Sequence, residues 1–177
     1  MFELLKKRRS IRRYQSIPVE KEKVDHLIKA ALLSPSSRGL RPWEFIVIDD
    51  RELLAQLSQA KEHGSSFLKN APLGIVILGD PQKCDVWVED CSIASIILHL
   101  TAAWMGLGSC WIQIRERLHR DGQSAEDYIR NLLNIPDKFK VEAIIALGYP
   151  DEEKASRTEA DFPHLQVHHN RFSQPYR

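Results

Sequence analysis

Six of the eight residues at positions 6–13, KKRRSIRR, are basic, and Ser10 is one of the other two. Guanidinium groups bind phosphate oxygens through paired hydrogen bonds, and a serine hydroxyl can add another, so this stretch could hold an anion. The same composition is typical of a solvated charged surface or of an arm that binds nucleic acid. Periodicity does not choose among the three. The formal net charge of only +1 argues against nucleic acid and against an anionic membrane.

Residues 34–41, SPSSRGLR, form a second candidate binding segment between a predicted helix and a predicted strand. Such connections usually need about four to six residues and rarely two arginines. The simpler interpretation is a long turn that packs Trp43 under the sheet. Against it, the segment offers hydroxyls, backbone amides and two guanidinium groups, which suit a polar ligand. These groups belong to Ser36, Ser37, Arg38, Gly39 and Arg41.

A third segment, GLGSCWIQI, begins at Gly106 and combines glycines with apolar side chains. Gly106 and Gly108 allow close approach of the backbone. Trp111 and Ile112 offer an apolar surface. No base is placed beside Cys110, so a buried structural thiol is favoured over a nucleophile. The sequence has no phosphate-loop, dinucleotide, zinc-protease or nucleophile-elbow motif, its histidines show no ligand spacing, and no metal site is predicted.

Hydrophobic periodicity places these segments between helices and strands. Apolar residues at i, i+3, i+4, i+7 and i+8 predict an amphipathic helix that Pro35 ends. The predicted helices are 19–33, a short one around 53–57, 85–105 and 124–133, and the predicted strands are 45–48, 73–78, 109–114 and 141–147. Ser124 can cap the last helix, with Asp127 as its partner. Helices alternate with strands, which predicts a sheet flanked by helices.

The helix over 85–105 is apolar on almost every side, so more than one neighbour must bury it. One of its faces carries Ile93, Ile96, Ile97, Leu100 and Trp104. In a chain of 177 residues, a subunit interface is a natural way to cover such a helix. Residues 151–177 show no sustained period but contain apolar side chains that need burial, which favours an arm laid over a partner subunit. We therefore expect a single domain, with its body over 1–150 and a C-terminal arm over 151–177.

The cysteines and the N-terminus indicate a cellular compartment. Cys84, Cys91 and Cys110 form no CxxC pair, and the N-terminus lacks the apolar core of a secretion signal. Both observations favour a reduced, cytoplasmic protein. The most apolar stretch, SIASIILHLTAAWMGLG, is short for a membrane span and is interrupted by His99. It is interpreted as a buried helix, and no membrane partner is expected.

Four motifs occur along the chain in a recognisable order. They are RRSIR near the N-terminus, SPSSRGLRPWEFI after the first long helix, GLGSCWI after the apolar helix and ALGYP before the tail. Together they resemble the FMN-dependent nitroreductase family over essentially the whole chain, which is similar to the short members of that family. The resemblance implies an α+β fold with a central, mostly antiparallel sheet flanked by helices. It also implies an intertwined homodimer with two FMN molecules in the interface.

The resemblance gives the candidate residues specific roles. The N-terminal motif matches residues that bind the FMN phosphate and ribityl chain, and its Arg12 matches the basic residue at the pyrimidine edge. The loop of one subunit lies against the flavin held mainly by the other, and the third motif passes the ring near N5. Two cations of the tail fall where the family places further phosphate partners. The implied FMN-binding residues are Arg8, Arg9, Ser10, Arg12, Pro35, Ser36, Ser37, Arg38, Gly39, Cys110, Trp111, Ile112, Gln113, Lys154 and Arg157.

The activity implied by the resemblance is an FMN-dependent NAD(P)H oxidoreductase with a ping-pong cycle. NADH or NADPH transfers a hydride to flavin N5 and leaves, and a nitroaromatic, quinone or similar acceptor is then reduced. No side chain acts as an obligatory acid or base, because the flavin carries the chemistry. The alternatives are a flavin-binding protein without turnover, such as a sensor, a flavin-modifying or dehalogenating enzyme on the same fold, and a nucleic-acid-binding dimer.

Three departures from the family pattern bear on the site. Relatives often have asparagine where this chain has Gly39 and glutamine where it has Arg41, so Arg41 brings extra positive charge toward the cofactor. Gln113 and Ile114 replace the small residues that are common after the W-I pair, which changes the contacts expected with the ring. No long insertion follows Leu78 to supply a substrate lid, so the pocket is expected to be open or covered by other segments.

Overall fold

A single four-stranded sheet forms the centre of the molecule. The computed structural model describes residues 1–120 and 122–176. The strands are β1 Trp43–Ile48, β2 Leu73–Gly79, β3 Gly108–Gln113 and β4 Lys140–Gly148. They lie in the order β1-β2-β4-β3, and every neighbouring pair is antiparallel. This arrangement confirms the expected α+β architecture, and the four predicted strands are all present with ends close to those predicted.

Helices cover both faces of the sheet. The α-helices are α1 Phe2–Lys7, α2 Lys21–Leu32, α3 Arg51–Leu57, α4 Trp87–Trp104 and α5 Ala125–Leu133. Leu27 of α2 and Leu98 of α4 belong to the apolar cluster on one face, and Leu54 of α3 and Ile129 of α5 belong to the cluster on the other. The four predicted helices are therefore confirmed, whereas α1 was not predicted.

Strand β2 is buried along its whole length. Ile75 and Ile77 lie in the apolar cluster on the α2–α4 side, whereas Val76 and Leu78 lie in the cluster on the α3–α5 side. Successive residues of a strand point to opposite faces, so a strand covered on both sides needs apolar residues at every position. This explains why β2 appears in the sequence as an uninterrupted apolar run.

Two of the α-helices have a side-chain cap at their N-terminus. At the start of α5, Ser124 Oγ accepts the Asp127 N–H at 2.9 Å, and its hydroxyl donates to the Asp127 carboxylate at 2.7 Å. This bond confirms the predicted cap. At the start of α3, Asp50 accepts the Leu53 N–H at 2.8 Å. Each cap satisfies an N–H that has no partner within the helix and contributes about 1 kcal/mol.

One face of α4 packs on the sheet, and the opposite face is exposed in the single chain. Leu98 on the inner face is fully buried. Ile93, Ile96 and Trp104 on the outer face are 38%, 44% and 74% exposed. These three belong to the face that the sequence favours for a subunit interface, and Phe172 of the tail is 84% exposed as well. No helix of the described chain, α4 included, is long and apolar enough to cross a membrane.

An irregularity in the pairing of β2 with β4 places a carboxyl group inside the protein. The register shifts between Ile77 and Leu78, so Glu142 of β4 has no opposite residue on β2. The main-chain oxygen of Glu142 accepts the N–H groups of Ile114 and Arg115 at 3.2 and 3.1 Å. Its side chain is 3% exposed, and Oε2 has no hydrogen-bond partner among the described residues. Burial raises the pKa of Glu142 to about 7.

Candidate functional site

A strongly basic cavity lies where the N-terminal segment meets the tail. It has a volume of about 280 Å³ and is termed the basic cavity below. Its lining consists of Leu5, Arg8, Arg9, Ser10, Arg12, Lys154 and Arg157. A neighbouring cavity of about 350 Å³ shares Arg8, Arg9 and Lys154 and extends to Ala103 at the C-terminal end of α4. The structure thus brings six predicted site residues together from the two ends of the chain.

Hydrogen bonds between the N-terminal segment and the tail shape the basic cavity. Lys154 Nζ donates to Ser10 O at 2.6 Å. Arg157 N donates to Lys6 O at 2.9 Å. Both bonds join main-chain atoms of the N-terminal segment to residues that follow the last strand, so the conformation of one segment depends on the other.

The positive charge of the basic cavity is only partly neutralised. Lys154 Nζ lies 3.4 Å from a carboxylate oxygen of Glu152, and Arg157 lies 3.6 Å from that of Asp161. Among the described residues, no carboxylate forms an ion pair with the three remaining guanidinium groups, those of Arg8, Arg9 and Arg12. Guanidinium groups that no carboxylate neutralises create, in a shared cavity, a field that attracts phosphate.

Arg12 is held in place by Glu152 and Phe67, two residues that the sequence did not suggest. Glu152 Oε1 accepts the N–H groups of Arg12 and Arg13 at 2.5 and 3.3 Å. The bond from Arg12 is the main cause that lowers the pKa of Glu152. The Arg12 guanidinium also lies over the ring of Phe67, with 5.9 Å between its central carbon and the ring centre. Glu152 is 140 positions from Arg12, so no local spacing could have linked them.

Strand β3 forms the inner wall behind the N-terminal segment. Ser10 pairs with Ser109 in a short parallel bridge, and Ile11 N donates to Ser109 O at 3.0 Å. The approach requires glycine at position 108, because a Cβ there would lie 2.8 Å from Ile11. This confirms that Gly108 permits close approach of a neighbouring segment. On the inner side, Ser109 Oγ lies 2.7 Å from His99 Nδ1.

Two titratable groups near the basic cavity are held neutral. Burial, and to a smaller extent the charge of Arg8, lower the pKa of His99 to about 4. Burial raises the pKa of Cys110, although the charges of Arg12 and Lys154 oppose it. A protonated, buried thiol is a poor nucleophile, which agrees with the structural interpretation of this cysteine.

The third motif offers side chains on one face of β3 and only main-chain atoms on the other. Trp111 Nε1 donates to Gln113 Oε1 at 2.9 Å, and Gln113 Nε2 donates to Arg115 O at 3.0 Å. Both side chains are half-buried, and Trp111 packs against the cluster on the α4 side. Ile112 instead points into the α3–α5 core and is fully buried. Ile112 can therefore contact a ligand only through its main chain.

The polar loop, residues 34–41, lies at the other end of α4. Ser37 N donates at 2.8 Å to Oδ1 of Asp90, which belongs to the N-terminal part of that helix. Ala103, beside the cavities, belongs to its last turn. An α-helix rises about 1.5 Å per residue, so Asp90 and Ala103 are about 20 Å apart. Within one chain, residues 35–39 are therefore not brought together with the basic cavity.

Comparison with known proteins identifies the family. The model described as "Nitroreductase family" matches residues 5–64 and 54–149. The chain belongs to the nitroreductase family. An FMN-dependent nitroreductase from Clostridium difficile R20291 is 55% identical, with a TM-score of 0.96, and the match covers 97% of this chain and 100% of that one. A protein from Archaeoglobus fulgidus with the provisional name NADH dehydrogenase/NAD(P)H nitroreductase is 39% identical over 151 residues, or 83% of each chain.

A more distant relative has a different named activity. An iodotyrosine deiodinase from Thermotoga neapolitana is 22% identical over 168 residues, or 87% of this chain and 90% of that protein. The nitroreductase-family match confirms the resemblance drawn from the four motifs. Its span includes the N-terminal motif, the polar loop and the third motif and ends at Tyr149. Lys154 and Arg157 lie beyond this span, so their place beside the N-terminal motif is known from the structure alone.

Proposed function

We propose that this nitroreductase-family chain is an FMN-dependent NAD(P)H oxidoreductase. The observation that carries the proposal is the basic cavity, where four guanidinium groups, one ammonium group and a serine hydroxyl surround about 280 Å³. The phosphate of FMN is an anion with several acceptor oxygens, so its charge and its hydrogen-bonding groups match this lining. The name of the similar Clostridium difficile protein gives FMN as its cofactor.

Different parts of the chain would hold different parts of FMN. The cations of the basic cavity and Ser10 would bind the phosphate, and each charge-assisted hydrogen bond would contribute about 1.5–3 kcal/mol. Arg12, fixed by Glu152, would place its charge at the pyrimidine edge. The edge strand β3, with Gln113 near its end, would lie along the ring. Cys110 and Ile112 would contribute main-chain atoms, because their side chains are buried.

The site would be completed by a second copy of the chain. The polar loop is about 20 Å from the basic cavity in one chain, so residues 35–39 would reach FMN only from a partner. The exposed face of α4 and the exposed apolar side chains of the tail are surfaces that such a homodimer would bury. The arm over 151–177 would then begin against the N-terminal segment of its own chain and continue over the partner, and residues 1–150 would be the cofactor-binding domain.

The proposed reaction needs no acid or base from the protein. When bound, FMN accepts a hydride from NADH or NADPH and delivers the electrons to an acceptor such as a nitroaromatic or a quinone, in a ping-pong cycle. Arg12 would favour negative charge at the pyrimidine edge by electrostatic stabilisation. His99 and Cys110, which are neutral near pH 7, would form part of the wall beside the phosphate.

An anaerobic absorbance titration of the purified protein tests this proposal. A flavin spectrum that is bleached by NADH or NADPH, and restored by a nitroaromatic or a quinone, is the expected result. The titration also identifies the preferred donor. A protein that is colourless and does not bind added FMN would contradict the proposal, and the basic N-terminus would then need another ligand.

The assignment of the N-terminal arginines to FMN is tested by the double variant Arg8→Ala/Arg12→Ala. Loss of two charge-assisted contacts predicts FMN binding that is weaker by about 100-fold or more. Arg13→Ala is the matched control, because Arg13 belongs to the same basic run but lies outside the basic cavity and pairs with Asp151 at 3.7 Å. Full affinity in the double variant would show that FMN binds elsewhere.

Dehalogenation is a second candidate because of the Thermotoga neapolitana deiodinase relative. It predicts release of iodide from iodotyrosine under reducing conditions, with little reduction of nitroaromatics. A third outcome is bound flavin that neither nicotinamide bleaches, which would indicate a flavin-binding protein without turnover. The same titration, followed by an iodide measurement, separates these three functions.

A further inference from the structure

A carboxylate in the N-terminal part of α4 is buried without a cation. Asp90 is 2% exposed, and its partners among the described residues are hydrogen-bond donors that carry no charge. Buried carboxylates are rare because the loss of hydration is unfavourable unless the site returns specific contacts. Exposed Glu89 in the first turn already complements the helix dipole. The burial of Asp90 therefore requires another explanation.

Each carboxylate oxygen of Asp90 accepts a hydrogen bond that helps to hold the polar loop. Oδ1 accepts the Ser37 N–H at 2.8 Å, and Oδ2 accepts the Cys84 S–H at 3.4 Å. Cys84 Sγ in turn accepts a hydrogen bond from Arg38 Nη2 at 3.7 Å. A thiol has a single proton, so when Cys84 donates it to Asp90 the sulfur is left as an acceptor for Arg38. Asp90 thus contacts the loop directly at Ser37 and through the thiol at Arg38.

The loop needs an anchor because part of its backbone is left-handed. Arg38 has a φ of 53° and Gly39 a φ of 67°. This conformation is unfavourable for a residue with a side chain, so it persists only where the surroundings fix it. The Arg38 guanidinium is held by an ion pair with Asp85, and the Arg41 N–H is held by Ser36 Oγ at 2.9 Å. Together with Asp90, these contacts fix the loop from Ser36 to Arg41, which has a left-handed φ of 51° as well.

We propose that Asp90 is a positioning residue for the FMN site of a second copy of the chain. Its carboxylate fixes Ser37 and Arg38, and with them the amides and hydroxyls that residues 35–39 present to the flavin. The inference rests on the proposed function and extends it to Asp90 and Cys84. These two side chains lie outside all four motifs and behind the loop.

A purely structural role for Asp90 makes different predictions. If Asp90 only stabilised the start of α4, its loss would lower the melting temperature and leave the FMN affinity of the folded protein unchanged. If Asp90 positions the loop, FMN affinity falls in a protein that is still folded, and the visible circular dichroism of the bound flavin changes. Ser95 is the matched control, because it is fully buried in α4 and its hydroxyl bonds to Cys91 O within the helix at 2.7 Å.

The test measures FMN dissociation constants by quenching of flavin fluorescence. Asp90→Ala should bind FMN about tenfold more weakly, which corresponds to about 1.4 kcal/mol. Asp90→Asn keeps an acceptor for the Ser37 N–H but loses the acceptor for the thiol, so a weakening of about threefold is expected. Ser95→Ala should bind as the wild type does. Unchanged affinity in both Asp90 variants, or an equal loss in Ser95→Ala, would overturn the proposal.

Variants of Cys84 keep the test decisive if Asp90→Ala does not fold. Cys84→Ala removes the bridge to Arg38 and leaves the Ser37 bond, so FMN binding should weaken by about threefold. Cys84→Ser retains a donor for Asp90 and an acceptor for Arg38, and it should restore the affinity. If both Cys84 variants bound FMN as tightly as the wild type, the proposed connection from Asp90 through Cys84 to Arg38 would be wrong. If the proposed function were wrong, the wild type itself would bind no FMN. This result differs from every outcome described above for the variants.

Discussion

Replacing Glu142 with glutamine should change how the stability of the protein depends on pH. Burial raises the pKa of this carboxyl from 4.5 to about 7, with Arg115 opposing the shift and Glu116 and Glu89 adding to it. The folded state therefore holds the proton more tightly than the unfolded chain. The resulting stabilisation is complete below pH 4.5 and is lost as the pH rises to 7. Its magnitude is about 3 kcal/mol, because one pKa unit corresponds to about 1.4 kcal/mol.

His99 acts in the opposite direction over nearly the same pH range. Its pKa is lowered from 6.5 to about 4, mainly by burial. The folded state resists protonation of this ring, so its contribution is present above pH 6.5 and is lost as the pH falls to 4. The magnitude is again about 3 kcal/mol. The two effects cancel, and the wild type should have nearly constant stability between pH 4.5 and 6.5.

Single variants separate the two effects. The free energy of unfolding of Glu142→Gln should rise by about 2 kcal/mol from pH 4.5 to 6.5, and that of His99→Gln should fall by about the same amount. Urea unfolding of the cofactor-free protein at one protein concentration measures both, because ligand and subunit association shift apparent stability. The free energy of unfolding of the double variant should vary as little with pH as that of the wild type. A Glu142→Gln profile that is parallel to that of the wild type would refute the reasoning about the buried carboxyl.

Three further predictions concern packing, capping and assembly. Gly108→Ala should lower the free energy of unfolding in urea by about 1–3 kcal/mol, because the new Cβ would overlap Ile11. An unchanged unfolding midpoint would show that β3 can move away from Ile11. Ser124→Ala should cost about 1 kcal/mol in the same assay through loss of the α5 cap. Ile96→Arg should produce monomers in sedimentation velocity and weaken FMN binding, whereas Leu118→Arg, at an exposed apolar residue outside α4, should change neither. A stable Ile96→Arg dimer would contradict the proposed interface.

The regular elements with strong apolar patterns could be predicted from the sequence. Strand β2 is covered on both faces and must be apolar throughout, and α2 is covered on one side and shows apolar residues at helical spacing. Helix α1 could not be predicted, because six residues are too few for a periodic pattern and short helices depend on packing for stability. Its neighbour in the fold is α4, which is far away in the sequence.

The basic cavity could be predicted only in part. The chemistry of the N-terminal run indicated an anion site, and the family resemblance added Lys154 and Arg157. Glu152 and Asp90 could not be predicted, because each acts on a backbone N–H that is distant in sequence, 140 positions away for Glu152 and 53 for Asp90. No local pattern records contacts of this range, which arise only when the sheet is formed. The binding of FMN by these residues stays a prediction.

The bond from Lys154 to Ser10 joins residues 144 positions apart, so the basic cavity is assembled late during synthesis. The N-terminal arginines leave the ribosome first, but their partners in the tail emerge only after all four strands have been made. Contacts with such large sequence separation require closure of nearly the whole chain. A product that stops before Lys154 could contain every strand of the sheet and still lack the cavity. An intact basic cavity would therefore distinguish finished molecules from truncated ones.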